Sequence, residues 1–69
     1  MASHWVPAAM RDHLQTKLDA IRARIRRLED EGAQHRALGR DALADKIEHE
    51  RKKAEIEAGH VENLLRTAA

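Results

Sequence analysis

The sequence predicts an all-α protein built from two antiparallel helices joined by a tight turn. Residues that favour helices dominate the chain, whereas it contains one proline and a single aromatic residue, Trp5, so signals for β-strands are almost absent. Large aliphatic residues recur at helical spacing, and this pattern is interrupted around residues 39–41. We therefore expect helices over residues 7–38 and 41–67.

The chain has 69 residues, which is one domain at most and close to the size at which a lone hydrophobic core becomes marginal. We divide it into an N-terminal arm, residues 1–6, and a single helical hairpin or coiled-coil domain, residues 7–69. Because a short pair of helices buries little apolar surface, oligomerisation is expected. The sequence therefore predicts a homodimer in which two hairpins form a four-helix bundle.

The first helix carries the strongest pattern in the chain. Pro7 suits its first turn, and Trp5 just before it either clamps the start of the helix or anchors a partner protein. Five large aliphatic residues then follow at steps of four, three, four and three: Leu14, Leu18, Ile21, Ile25 and Leu28. This spacing is typical of the seam of a coiled coil, and continued strictly it would take Gly32 and His35.

The turn is predicted from a stop signal followed by a start signal. Gly39 suits the left-handed position that ends a helix, and Asp41 suits the N-cap of the next one. The alternative is one long coiled-coil helix of about 60 residues, in which Gly32 and Gly39 are only weak points.

The second helix has a less complete stripe. Its apolar members are Leu43, Ile47, Ala54, Val61, Leu64 and Ala68, with Glu50 and Glu57 in the same stripe. We predict that the large residues of both helices form the self-association seam: Leu14, Leu18, Ile21, Ile25, Leu28, Leu43, Ile47, Val61, Leu64 and Leu65.

Glu50 and Glu57 are unusual on an apolar stripe, because carboxylates are rarely buried without a partner. In a hairpin that turns at residues 39–40, the numbers of facing residues add up to about 80. We therefore expect Glu57 to lie opposite residues 22–24 and to pair with Arg22 or Arg24.

Charge is unevenly distributed although the net charge is only +1. Residues 11–27 hold six bases and two acids, a net +4, whereas residues 28–50 hold three bases and seven acids, a net −4. Such blocks favour pairing between helices over a uniformly basic surface. Trp5, Arg22, Arg26 and Arg27 remain candidates for contacts with a partner, and the three arginines could contact phosphates of RNA or DNA.

Signals for chemistry are weak. Glu57 and His60 have the Glu-x-x-His spacing of di-iron bundles, but acids that could complete the site lie too far along the helix. We expect no metal, no cofactor and no catalysis, since there is no Cys nucleophile, no Tyr and no glycine-rich phosphate loop.

The function predicted from sequence is that of a small helical interaction module. No apolar stretch approaches the ~20 residues of a membrane span and no secretion signal is evident, so we expect a cytoplasmic protein. We expect it to self-associate and to act as a protein-binding adaptor or regulator. The alternatives are a nucleic-acid-binding regulator that uses the Arg-rich face of the first helix, and a metal-binding helical bundle.

Overall fold

The computed structural model describes residues 7–67, which form two helices packed side by side. Helix α1 is Ala8–Ala37, 30 residues, and helix α2 is Asp41–Thr67, 27 residues. The pair measures 55 × 16 × 11 Å. The predicted hairpin is confirmed, with helix ends within one residue of expectation, and the alternative of one continuous helix is wrong. Neither helix is long and apolar enough to cross a membrane.

Backbone hydrogen bonds explain why α1 ends at residue 37. Arg40 donates its N–H to the carbonyl of His35 at 2.8 Å, and Gly39 donates to that of Arg36 at 3.0 Å. These two bonds form a Schellman motif, which requires a left-handed backbone conformation at the residue that follows the C-cap. Gly39 supplies it with φ +75°, as the sequence predicts.

The start of α2 differs by one position from the prediction that Asp41 is the N-cap. The carbonyl of Arg40 accepts the N–H of Ala44 at 3.0 Å, so Arg40 is the N-cap and Asp41 is the first helical residue. The Schellman turn leads directly into the next helix, which leaves no room for a separate capping residue. The Asp41 carboxylate lies in the first turn, where the helix dipole favours negative charge.

Alanine substitutions at Gly39 and Gly59 should change the stability of the hairpin in opposite directions. Gly39→Ala is expected to lower the free energy of unfolding by about 1–2 kcal/mol, because a Cβ is strained at positive φ. Gly59→Ala is expected to raise it by about 0.5–1 kcal/mol, because Gly59 lies inside α2 with open space around it. Urea denaturation of both variants measures the difference. A Gly39→Ala protein as stable as the wild type would contradict the turn geometry, and a destabilised Gly59→Ala protein would contradict the open space around Gly59.

The core lies along one seam between the helices. Helix α1 contributes Leu18 and Ile21, which are buried, with Leu14, Ile25 and Leu28 packed against them. These are the five residues that the coiled-coil spacing places on one face of the first helix. Gly32 and His35, the next two positions of the same spacing, are half-buried.

The seam of α2 differs from the predicted stripe. Its members, again at steps of three and four, are Ala44, Ile47, Arg51, Ala54, Ala58, Val61 and Leu65. Three of the predicted positions, Ile47, Ala54 and Val61, lie on the observed seam. At the other positions the neighbouring residue is buried instead: Ala44 and Ala58 are buried, whereas Leu43 and Leu64 are 46% and 54% exposed. The seam thus keeps every second predicted position and moves the others on by one residue, which is a rotation of the helix by about half a residue step, on the order of 50°.

The reason for this rotation is that small residues of one helix oppose large residues of the other. Ala54 and Ala58 belong to the same buried cluster as Leu18 and Ile21. Near the turn the roles are reversed, since a Cβ placed on Gly32 would lie 3.5 Å from Cγ2 of Ile47. Because protein interiors are closely packed, this alternation lets the two helices approach each other without leaving voids.

Candidate interaction surface

Two helices packed side by side have two broad faces, one on each side of the seam. On the first, which we call the ion-paired face, α2 carries Asp41, Glu48, Glu55 and Glu62 at intervals of seven residues. Each of these acids is held by an arginine: Arg22 reaches Glu62 at 2.9 Å, Arg36 reaches Asp41 at 3.7 Å, and Arg51 binds both Glu48 and Glu55. Arg36 also donates to Asp45 at 2.9 Å.

Arg51 is the most enclosed charged side chain of this face. It occupies a seam position and is only 20% exposed. Its guanidinium donates to Glu48 through Nε and Nη2 and to Glu55 through Nη1. These hydrogen bonds raise the pKa of Arg51 above its ordinary value and lower the pKa of Glu48 below its own. The stem of Arg51 therefore covers the seam while its charged end remains at the surface.

The lowered pKa of Glu48 predicts a specific response to acid. The hydrogen bond from Arg51 favours the charged carboxylate, so Glu48 stabilises the fold above its ordinary pKa of 4.5, and this contribution is lost as the pH falls through the lower folded-state pKa. Between about pH 5 and pH 3, thermal unfolding should therefore lose less stability in Glu48→Gln than in the wild type. Equal losses in the two proteins would contradict the role of this hydrogen bond.

A groove of about 520 Å³ opens on the ion-paired face near the turn. Three small residues, Gly32, Ala33 and Ala44, are among those that line it, together with Leu28. The arginines at its rim, Arg36 and Arg51, are both already paired with carboxylates. The groove therefore offers no free cation to an anionic ligand.

The second broad face, which we call the leucine face, is different. It carries two rows of residues, each at intervals of seven. The α1 row comes from the first half of the chain and comprises Met10, Lys17, Arg24, Glu31 and Leu38, and the α2 row comprises Leu43, Glu50, Glu57 and Leu64. Large apolar side chains lie at both ends and are exposed, from 46% at Leu43 to 67% at Leu38. The one ion pair between the two rows among residues 7–67 is Arg24 with Glu50, at 3.7 Å.

The predicted seam residues are divided between the core and this face. Leu14, Leu18, Ile21, Ile25, Leu28, Val61 and Leu65 pack within the hairpin, and Ile47 is half-buried. Leu43 and Leu64 are the two that the intramolecular core leaves uncovered.

The predicted ion pair of Glu57 is wrong. Arg22 pairs with Glu62 and Arg24 pairs with Glu50, whereas Glu57 is exposed and makes no ion pair within residues 7–67. Because Ala58 takes the seam position that was predicted for Glu57, Glu57 lies at the side of the seam. Glu50 is half-buried and also contacts Lys53, at 3.5 Å.

The remaining candidate residues do not gather into one site. Arg22 is engaged by Glu62, whereas Arg26 and Arg27 are exposed on the outer side of α1. Trp5 lies outside the described residues. Within residues 7–67 no three side chains of His, Cys, Asp or Glu come together to hold a metal ion, and Glu57 with His60 is no exception.

Known proteins provide no relative that could assign a role to either face. No protein-family model, no curated protein and no solved structure matches this chain.

Proposed function

We propose that this chain is a cytoplasmic, non-catalytic interaction module that self-associates as a dimer, forms a four-helix bundle, and serves as a protein-binding adaptor or regulator. The observation that carries the proposal is the mismatch between what the hairpin buries and what it exposes. Three large aliphatic side chains are buried among residues 7–67, Leu18, Ile21 and Val61, and the other buried residues are alanines. Five large hydrophobic side chains remain exposed: Met10, Leu38, Leu43, Ile56 and Leu64.

The size of the chain strengthens this argument. Domains of this length bury a smaller fraction of their surface than larger domains do, and many depend on a metal, a disulfide or a second chain. The sequence holds no Cys, which removes disulfides. A second copy that covers exposed leucines supplies the additional burial most simply, and joining two hairpins is a common route to a four-helix bundle.

The role as an adaptor rests on the surface that such a dimer leaves open. Ile56 is 62% exposed on the outer side of α2, away from both broad faces. His49, His60 and Asn63 are exposed on the same outer part of the helix. A large exposed apolar residue bordered by polar side chains, here also Lys52 and Lys53, is a suitable centre for a contact with a larger protein.

Size-exclusion chromatography with light scattering and small-angle X-ray scattering tests the self-association. We expect twice the chain mass of 7.8 kDa and a particle about as long as the 55 Å hairpin. A mass of one chain at all concentrations would overturn the dimer, and a particle near 90 Å long would contradict the hairpin itself, since about 60 residues of continuous helix reach that length.

The nucleic-acid alternative has weaker support. Of the three arginines that it needs, Arg22 is already paired with Glu62, and Arg26 and Arg27 are exposed but lie one residue apart and so point in different directions around α1. Titration with a mixed-sequence RNA or DNA at low salt tests it. Affinity that falls steeply with added salt would favour this function over the one proposed.

A further inference from the structure

We infer that the leucine face is where a second copy of this chain docks, with each α1 lying on the α2 of the other copy. The inference rests on the proposed self-association and specifies its surface and its geometry. It begins from the distribution of exposed apolar residues. Four of the five large exposed hydrophobic side chains among residues 7–67 lie on this face, and the fifth, Ile56, lies outside both faces.

The ion-paired face is a poor alternative for the dimer contact. Its four acids on α2 are all engaged by arginines of the same chain. A second copy docking there would have to dehydrate these charged groups without providing new partners, which costs free energy. The leucine face has fewer such groups, and its apolar ends gain from being covered.

The dimensions of the face suit an interface between two copies. The broad side of the hairpin measures 55 by 16 Å, so each copy can offer on the order of 900 Å², against about 800 Å² per partner in a standard interface. Apolar residues occur at both ends with charged residues between them. In a two-fold dimer the same surface of both copies meets, so this surface must be complementary to itself. A face with apolar ends and charged residues between them can meet this requirement.

The net charges of the two rows favour one of the two possible arrangements. The α1 row holds Lys17, Arg24 and Glu31, a net +1, and the α2 row holds Glu50 and Glu57, a net −2. A two-fold axis parallel to the helices places each positive row on the negative row of the other copy, turn over turn. A perpendicular axis places each row on the same row of the other copy, so two rows of like net charge meet.

With the parallel axis, each residue faces residues of the second copy that lie at the same distance along the bundle. Leu38 and Leu43 at the turn then meet the same two residues of the second copy, and Arg24 faces Glu57 of the second copy. One contact is unfavourable, because Glu31 faces Glu50 of the second copy. In the perpendicular arrangement, with turn over open end, Glu31 would instead face Lys17 of the second copy.

A matched pair of variants tests the surface. Leu43→Glu places a charge on the leucine face and is expected to weaken the dimer at least about tenfold, whereas Ile56→Glu places the same charge on the outer side of the same helix and should leave the dimer unchanged. Sedimentation equilibrium gives both dissociation constants, and circular dichroism checks that both variants remain helical. Because both residues are exposed in the hairpin, loss of folding is not expected. An unchanged dimer in Leu43→Glu, or dissociation in Ile56→Glu, would overturn the inference.

The variant Glu31→Lys tests the orientation by the sign of its effect. With α1 on α2 of the other copy, a repulsion becomes an attraction twice in each dimer, so we expect about two- to tenfold tighter association. Weaker or unchanged association would overturn this arrangement. A wild-type protein that is monomeric at all concentrations would instead refute the proposed self-association, so the two failures are distinguishable.

Discussion

Leu18→Ala is expected to lower the free energy of unfolding by about 2–4 kcal/mol, because it removes three carbons from the best-packed large side chain of the core. Leu18 is 3% exposed and belongs to the cluster formed with Ile21 and Val61. In so thin a core no neighbouring layer can fill the cavity. Guanidinium denaturation at a fixed protein concentration measures the change.

The control for this prediction is Ile56→Ala, which also shortens a large aliphatic side chain. Ile56 is 62% exposed, so its truncation is expected to change the free energy of unfolding by less than about 0.5 kcal/mol. Equal losses in the two variants would contradict the assignment of the seam.

Ala54→Leu is expected to lower the free energy of unfolding by about 1–3 kcal/mol, although it adds apolar surface to the chain. Ala54 is 2% exposed and packs in the cluster that contains Leu18 and Ile21, so a larger side chain must push the helices apart. Thermal and urea unfolding both measure this effect. The matched control is Ala42→Leu, at an exposed position of the same helix, where little change is expected. A stabilised Ala54→Leu protein would show that the helices are not closely packed at this point.

The hairpin could be predicted because its signals are local. The spacing from Leu14 to Leu28 identifies one face of α1, and a glycine that can adopt positive φ identifies the end of that helix. Both signals depend on backbone geometry within a few residues. They predict the helices and their limits without information about how the helices pack.

The seam of α2 could not be predicted in the same way, because the largest residues of this helix are not the buried ones. A search for large apolar residues selects Leu43 and Leu64, whereas the packing selects Ala44 and Ala58 against the large residues of α1. The spacing of three and four through residues 44–65 is present in the sequence. Recognising it requires the expectation that small residues oppose large ones across a close contact.

The same shift of alternate seam positions also explains the wrong partner of Glu57. Rotating α2 moves Glu57 to the side of the seam and brings Glu62 to Arg22. It also places Arg51, an unexpected residue, on the seam between Glu48 and Glu55. The arginine-rich segment of α1 therefore divides by position: Arg22 and Arg24 pair with acids of α2, whereas Arg26 and Arg27 lie on the outer side of α1.

The concentration dependence of thermal unfolding is the most direct test of the central claim, that association with a second copy stabilises the hairpin. If folding is coupled to association, mass action raises the melting temperature with protein concentration. Circular dichroism over about a hundredfold range of concentration should then show a rise of several degrees. A melting temperature that stays the same across that range would show that association adds nothing to the stability of the hairpin, and would contradict the account.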